Sequence, residues 1–442
     1  SLVSYVLTKV AVTVYAGGLV FQQVFGIKEL WGIDFFWIAA IGLVVLTALY
    51  TIFGGMKSVL YTSVLQTPIL LLGSLIILVL GFKELGGWDE MMRVCGAVTV
   101  NDYGDTMTNL IRSNDDANFP WLGALIGSAI IGFWYWCTDQ FIVQRVLSGK
   151  NEKEARRGTI FGAYLKLLPV FLFLIPGMIA FALHQKYIGA GGEGFLPMLA
   201  NGTANADAAF PTLVAKLLPA GVKGLVVCGI LAALMSSLAS LFNSSAMLFT
   251  IDFYKRFRPE TPEKKLVGIG QIATVVIVIL GILWIPIMRS VGDVLYTYLQ
   301  DVQSVLAPGI AAAFLLGICW KRTSAQGGMW GLIAGMIIGL TRLGAKVYYS
   351  NAGEVADSTF KYLFYDMNWL FFCGWMFLFC IIVVIVVSLA TEAPTAEKIQ
   401  GLVFGTATKE QKAATRASWD HWDIIHTVII LAITGAFYWY FW

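Results

Sequence analysis

Residues 121–145 read WLGALIGSAIIGFWYWCTDQFIVQR. The first half is nearly free of polar side chains, and the second packs three large aromatics beside amides and charges. A helix that crosses a bilayer needs roughly 20 mostly apolar residues. The stretch at 121–146 meets that length. Ten others do so as well: 4–26, 34–54, 59–82, 158–184, 222–252, 266–288, 293–319, 326–348, 368–391 and 424–442. The expected fold class is therefore an all-α integral membrane protein with about eleven transmembrane helices. Composition agrees, with 58% hydrophobic and 13% charged residues, where a soluble domain carries about 25% charge. A net charge of +3 excludes the strongly basic surface of a nucleic-acid binder. The six cysteines lie mostly inside apolar runs without CxxC or metal-ligand spacing, so they read as small buried hydrophobes.

The chain opens on SLVSYVLTKVAVTVYAGGL, at a span and without a charged leader. The expectation is that the numbering starts inside a longer protein. Eleven spans force the connections to alternate sides. One set of connections holds seventeen basic residues, clustered at 145–157, 255–265 and 398–416, and the other set holds nine. The richer set is expected on the cytoplasmic side. The long loops 84–120 and 186–220 then lie outside, and 392–423 is an inner connector. Four bases fall within spans: Lys9, Lys166, Arg342 and Lys346. Arg342 and Lys346 stand near an outer helix end and are expected to snorkel. Lys9 and Lys166 lie deeper, where a charge costs roughly 2.5–3.5 kcal/mol unless partnered or hydrated. Both are functional candidates.

Three segments break the pattern of plain lipid-facing helices. In 132–145, Trp134, Tyr135 and Trp136 stand beside Asp139, Gln140 and Arg145. Rings that stack on apolar sugar faces, next to groups that bond hydroxyls, suit a sugar or polyol. An aromatic belt with an ion pair at the cytoplasmic helix end is the other reading. In GAYLKLLP, 162–169, Lys166 precedes Pro169 and offers a donor to the bundle interior, or half of a structural ion pair. In 231–245, Ser236, Ser237, Ser240, Asn243, Ser244 and Ser245 crowd one helix. Hydroxyl and carbonyl oxygens are hard ligands suited to sodium. Small residues also permit close helix packing.

Taken together, WYWCTDQFIVQR, LSGKN, GAYLKLLP, FPTLVAKLLPAGVKGL, ALMSSLASLFNSSAMLFTIDFYK and YLQDVQSVLAPGIAAAFLLGICWKR resemble the sodium:solute symporter family. The sugar and inositol branch is the most similar, and the likeness runs from about residue 5 to 345. The resemblance implies two inverted five-helix repeats, with solute and sodium near the midplane where the first helix of each repeat is broken. It divides the chain into 1–83 (last three helices of the first repeat), 84–120 (extracellular loop), 121–320 (second repeat, whose broken helix is 121–146) and 321–442 (C-terminal peripheral helices). It implies that Tyr135, Trp136, Lys166, Gln300, Tyr296 and Lys9 serve the solute. Ala233, Ser236 and Ser237 match sodium ligands. Ser63, Asp139, Gln140, Arg145 and Ser240 support and couple the two sites.

Several departures from the family pattern shape the expectation. Three helices that precede this stretch in the family, including its first broken helix, are not in the chain. The GG…TD signature reads GGMKSVLYTS, so Ser63 replaces the aspartate and Lys57 a small residue. Ala239 follows the serines where carriers with a second sodium site have threonine, and Gly132 replaces Asn or Thr. The implied activity is sodium-coupled uptake of a neutral, glucose-like sugar, one sodium per solute, by alternating access in the plasma or inner membrane. A myo-inositol or polyol carrier is the sister alternative, and a non-transporting membrane sensor on the same fold is the alternative of another class. No nucleophile–base pair or metal cluster points to an enzyme. The oligomeric state stays open.

Overall fold

The computed structural model describes residues 2–199, 202–289, 295–351 and 356–441, with side chains described outside 2–8, 53–59, 65, 287–298 and 350–351. An apolar segment in lipid must satisfy its backbone internally, so helices dominate. α1 (Leu2–Phe25) leads through a two-residue hairpin, Glu29–Leu30 against Ile33–Asp34, into α2 (Phe35–Leu85). The hairpin turns on Trp31 and Gly32, both at positive φ, the geometry that matches strand twist. Asp34 accepts the N–H of Phe36 and caps α2.

α2 spans 51 residues, about 76 Å if straight, against a hydrocarbon core of about 30 Å. Its contacts show that it folds back. Phe35 at its start and Leu85 at its end join one apolar cluster with Phe21 and Val24 of α1. The Tyr50 hydroxyl donates to the Met235 carbonyl at 2.8 Å, and Ser63 Oγ lies 2.5 Å from Ser236 Oγ. Neighbours on one helix thus meet residues that a straight α2 would hold about 20 Å apart. The chain reverses between Tyr50 and Ser63, so α2 supplies both expected spans, 34–54 and 59–82.

The outer loop carries α3 (Trp88–Gly96). Then come α4 (Trp121–Cys137), α5 (Gln140–Leu147) and α6 (Glu152–Pro169). α6 runs through a widened turn, Val170–Leu174, into α7 (Ile175–Gly189). Pro169 lacks a donor and crowds the preceding turn, which accounts for the widening. α8 (Ala209–Leu217) precedes the central α9 (Ala220–Met247), which widens at Leu248–Tyr254 before α10 (Lys255–Phe257). The rest comprises α11 (Glu263–Arg289), α12 (Leu295–Cys319), α13 (Ala325–Asn351), α14 (Thr359–Lys361), α15 (Trp369–Ala390), α16 (Ala396–Ile399), α17 (Lys409–Ala417) and α18 (His421–Tyr440). Among the described residues, nine helices are long and apolar enough to span, or ten when the bent α4–α5 pair counts as one. α1, whose first residues lie outside the described side chains, covers the remaining expected stretch, 4–26, and is not among these.

Cross-chain contacts support the alternating order. Leu110 N–H donates to the Phe441 carbonyl, Asn368 bonds the Ala117 carbonyl, and Lys186 bonds that of Leu85. All six residues belong to the expected outer side. Arg157 meets Asp420, Phe404 N–H meets the Ile318 carbonyl, and Arg322 meets that of Thr391, all on the inner side. One expectation fails. Arg342 does not snorkel: it is 0% exposed. Its guanidinium donates to the Met367 carbonyl at 2.8 Å and lies 3.5 Å from Asp301, which also takes Lys346 at 2.6 Å. A carboxylate one helix away offers both bases a partner that the membrane surface would otherwise provide.

Candidate solute and cation site

The helix expected to be broken is broken. α4 and α5 meet at 47°. Thr138 and Asp139 send their backbone N–H groups to the Trp134 carbonyl, which the Thr138 hydroxyl also reaches at 2.8 Å. That closes α4. The Asp139 carboxylate then accepts the N–H of Phe141 and starts α5. Residues with short polar side chains compete for backbone groups in this way and favour helix ends.

The second Asp139 oxygen takes the Lys9 ammonium at 2.9 Å, with side chains only 8% and 1% exposed for Lys9 and Asp139. Three rings enclose that ammonium: Tyr135 at 4.6 Å, Phe141 at 4.8 Å and Trp134 at 5.5 Å. A carboxylate and ring faces together offset the desolvation of a buried cation. The belt reading expected Asp139 and Arg145 to be paired with each other. They are not: Arg145 donates to Ser240 Oγ at 2.5 Å.

Beside the break lies a cavity of about 450 Å³, within the usual range for small-molecule sites. Of the expected solute residues, Lys9, Tyr135, Trp136, Lys166 and Gln300 all line it. The Lys166 ammonium lies 5.4 Å over the Trp136 ring, and both side chains stand exposed at the rim. Gly132 lines the wall with open space where a Cβ would project. Tyr296 lies outside the described side chains. The structure adds Thr13, Ser128, Gln303 and Trp369 to the lining. Gln303 sits three residues after Gln300 and Thr13 four after Lys9, so helical spacing alone would have found them. Trp369 begins α15, beyond the stretch that carries the motifs.

The cation candidates divide between two surroundings. Ser237 lines the cavity. Ser236 turns toward α2, where Ser63 shares a hydrogen bond of 2.5 Å with it. From there a chain of bonds runs to α5. Ser240 Oγ donates to the Ser236 carbonyl at 3.0 Å, and Arg145 donates to Ser240 Oγ. Gln144 donates to the Ser240 carbonyl at 3.1 Å and accepts from Asn243. Ala233 lies one turn before Ser236 and Ser237 on α9. Gln140 points away from the cavity to Met247 Sδ. Among the described residues no cluster of three His, Cys, Asp or Glu forms. The candidate donors on α9, a backbone carbonyl and two serine hydroxyls, are neutral oxygens of the hard kind that suits a monovalent cation such as sodium.

The family model of the sodium:solute symporter family matches residues 1–335. The chain belongs to the sodium:solute symporter family. This symporter chain is 35% identical over 413 residues to Sodium/myo-inositol cotransporter 2 of Homo sapiens, covering 91% of the chain and 60% of that relative. It is 35% identical over 462 residues to Sodium/mannose cotransporter SLC5A10 of Bos taurus, covering 100% and 76%. Sodium/glucose cotransporter 4 of Mus musculus is 34% identical over 92% of the chain, which spans 60% of that relative's length. Among solved structures, a Na+-coupled sialic acid symporter in a substrate-bound outward-open state superposes with a TM-score of 0.64 at 21% identity, covering 88% of this chain and 74% of that one. That likeness establishes the shared symporter fold. The chain is a multi-pass membrane protein.

Proposed function

We propose that this symporter chain forms most of a carrier that couples sodium entry to uptake of a neutral sugar or polyol across the cell membrane. The observation that carries the reading is the convergence of Lys9, Tyr135, Trp136, Lys166, Ser237 and Gln300 on one cavity beside a broken helix. Stacked rings and several hydroxyl-bonding donors suit a polyhydroxyl solute. Asp139 neutralises the Lys9 ammonium, so the aromatic wall carries no uncompensated charge. Lys166 remains as the donor at the rim, with no carboxylate within 4 Å among the described residues.

In this reading 1–83 closes the first repeat, 84–120 is an outer loop, 121–320 is the second repeat and 321–442 is peripheral. Sodium, as co-substrate, is held in part by Ala233, Ser236 and Ser237. Ser63, a neutral residue bonded to Ser236, and Ala239 supply no second charged site, which supports one sodium per solute. At 100 mV and a tenfold gradient one sodium supplies about 3.7 kcal/mol, enough for roughly 500-fold accumulation of a neutral solute. Relatives named for myo-inositol, mannose and glucose keep the choice among hexoses and inositol for experiment.

The test is uptake of labelled glucose, mannose and myo-inositol by the whole protein in liposomes, with and without sodium, with Lys166→Ala as control. Sodium-dependent uptake lost in Lys166→Ala is expected. Sodium binding without uptake of any of the three would favour a sensor. A charge-to-solute ratio near two would overturn single-sodium coupling.

A further inference from the structure

A second recess, of about 550 Å³, lies far from the solute cavity on the outside of the bundle. It runs between the end of the first arm of α2 and the start of α11. Its walls are Ile52, Lys265, Gly268, Gln271, Ile272 and Val275. Only Lys265 carries charge, and it sits at the end where α11 leaves the inner side. Gln271 spends its amide on the Ile52 carbonyl at 3.3 Å and so ties the two walls together. At Gly268 a Cβ would meet nothing within 4 Å, so the glycine leaves the slot deep. From Lys265 to Val275 the helix rises about 15 Å, half of a hydrocarbon core of about 30 Å. The slot is therefore one leaflet long, with its basic end at the inner surface.

The surroundings of that end are basic on balance, with Asp252, Glu260 and Glu263 exposed among five bases. Lys255, Arg256, Arg258, Lys264 and Lys265 are all exposed within eleven residues. Among the described residues none of the five has an acidic partner within 4 Å. Phe249, Phe253 and Phe257, which lead into and run among them, form a ladder of rings, 5.5 and 5.2 Å between centroids, and all three are exposed. α11 packs on that segment at Gly270, where an added Cβ would come within 3.3 Å of the Thr250 hydroxyl.

We propose that the α2–α11 slot binds one anionic phospholipid of the inner leaflet. Its acyl chain lies along Ile52, Ile272 and Val275, and its phosphate meets Lys265 and the neighbouring bases. Each base near the headgroup contributes about 1 kcal/mol, about a fivefold preference over a zwitterionic lipid.

The test uses the full chain in mixed micelles with dioleoyl phosphatidylglycerol or dioleoyl phosphatidylcholine, read by native mass spectrometry and by thermal unfolding. Phosphatidylglycerol should stay bound and raise the midpoint, and phosphatidylcholine should not. Lys265→Glu should cut its retention at least about fivefold, and Gly268→Leu should do the same with every charge in place. Free inorganic phosphate should neither compete nor stabilise. Equal retention of both lipids, full retention in both variants, or competition by phosphate would each overturn the proposal. Solute uptake is not the readout, so the result is independent of the transport reading.

Discussion

Two neighbours on α12 face opposite surroundings. Gln300 turns to the cavity, while Asp301 turns to α13 and holds Arg342 and Lys346. Across the cavity the other buried ion pair, Lys9–Asp139, sits among rings at the helix break. Both clusters place bases and an acid in an apolar bundle, yet they differ in balance and access. Lys9–Asp139 is one base to one acid and Lys9 lines open volume. The second cluster sets two bases on one acid. The Arg342 guanidinium carbon sits 4.0 Å over the Phe372 ring centroid, and its Nε and Nη1 are buried without an acceptor. A pair that touches a cavity can exchange its partner for water or solute. In the second cluster only Arg342 is enclosed, while Asp301 and Lys346 keep 14% and 24% exposure; removing the acid leaves that enclosed guanidinium unpaired and is felt as lost stability. The first lies beside the candidate site, and the second joins α12, α13 and α15.

The largest expected effect tests the cluster of two bases on one acid. Asp301→Ala leaves Arg342 and Lys346 together without their acid, at a cost of about 3–5 kcal/mol. Thermal unfolding in detergent should show a large drop in midpoint, and an unchanged midpoint would end the distinction. Next comes Asp139→Asn. It should weaken solute affinity by about tenfold or more, the worth of a hydrogen bond between charged groups at ~1.5–3 kcal/mol, with a smaller drop in midpoint than Asp301→Ala. Replacing both partners, Lys9→Met with Asp139→Asn, which keeps an oxygen to cap α5, should keep the fold without restoring uptake. Recovery of uptake would make that pair structural too. Ser240→Ala comes third. It removes the Arg145 contact, about 1 kcal/mol. It should raise the sodium concentration needed for half-maximal uptake while leaving the saturated rate near its original value. A fall in the saturated rate alone would disconnect Arg145 from the cation serines.

The smallest effect concerns an exposed pair, Arg157 with Asp420 at 3.5 Å. Burial opposes ionisation of Asp420, but the N–H groups of Trp422 and Asp423, with Lys153 and Arg157, hold its carboxyl below the usual carboxylate range. A depressed pKa contributes stability above the unfolded value and loses it as pH falls through the folded one. Hydrogen exchange in the first turn of α18 should therefore speed up only on strong acidification, with the global midpoint unmoved. Faster exchange already near neutral pH would assign the anchoring to something else.

Much of the fold was legible because membrane spans announce themselves by length, and the basic loops ordered their sides. Lys9 and Lys166 stood out for the same reason: a charge in mid-span demands an explanation. Arg342 misled because its partner, Asp301, is forty-one residues away in sequence and only packing brings them together. The fold-back of α2 was legible as two spans, whereas the widened turn after Pro169 was visible only as a proline. In the candidate site, Tyr135, Trp136, Lys166, Ser237 and Gln300 line one cavity, whereas Ser236 and Gln140 face elsewhere. Gln303 and Thr13 were overlooked although they lie one turn from recognised residues. Trp369 carried no signal, because its role depends on how α15 packs against α4 and α12. The split of Ser236 from Ser237 came from the rotation of α9, which no local pattern encodes.

The joint at Asp139 also has a mechanical side. α5 is eight residues long, a lever arm of about 12 Å with its fulcrum at that cap. A swing of about 10° there carries the far end through roughly 2 Å. Gln144 and Arg145 ride on the outer part of that arm, and their grips on Ser240 span only 3.1 and 2.5 Å. Such a swing would slip both grips while hardly displacing Tyr135 or Trp136, which stand on the other side of the fulcrum.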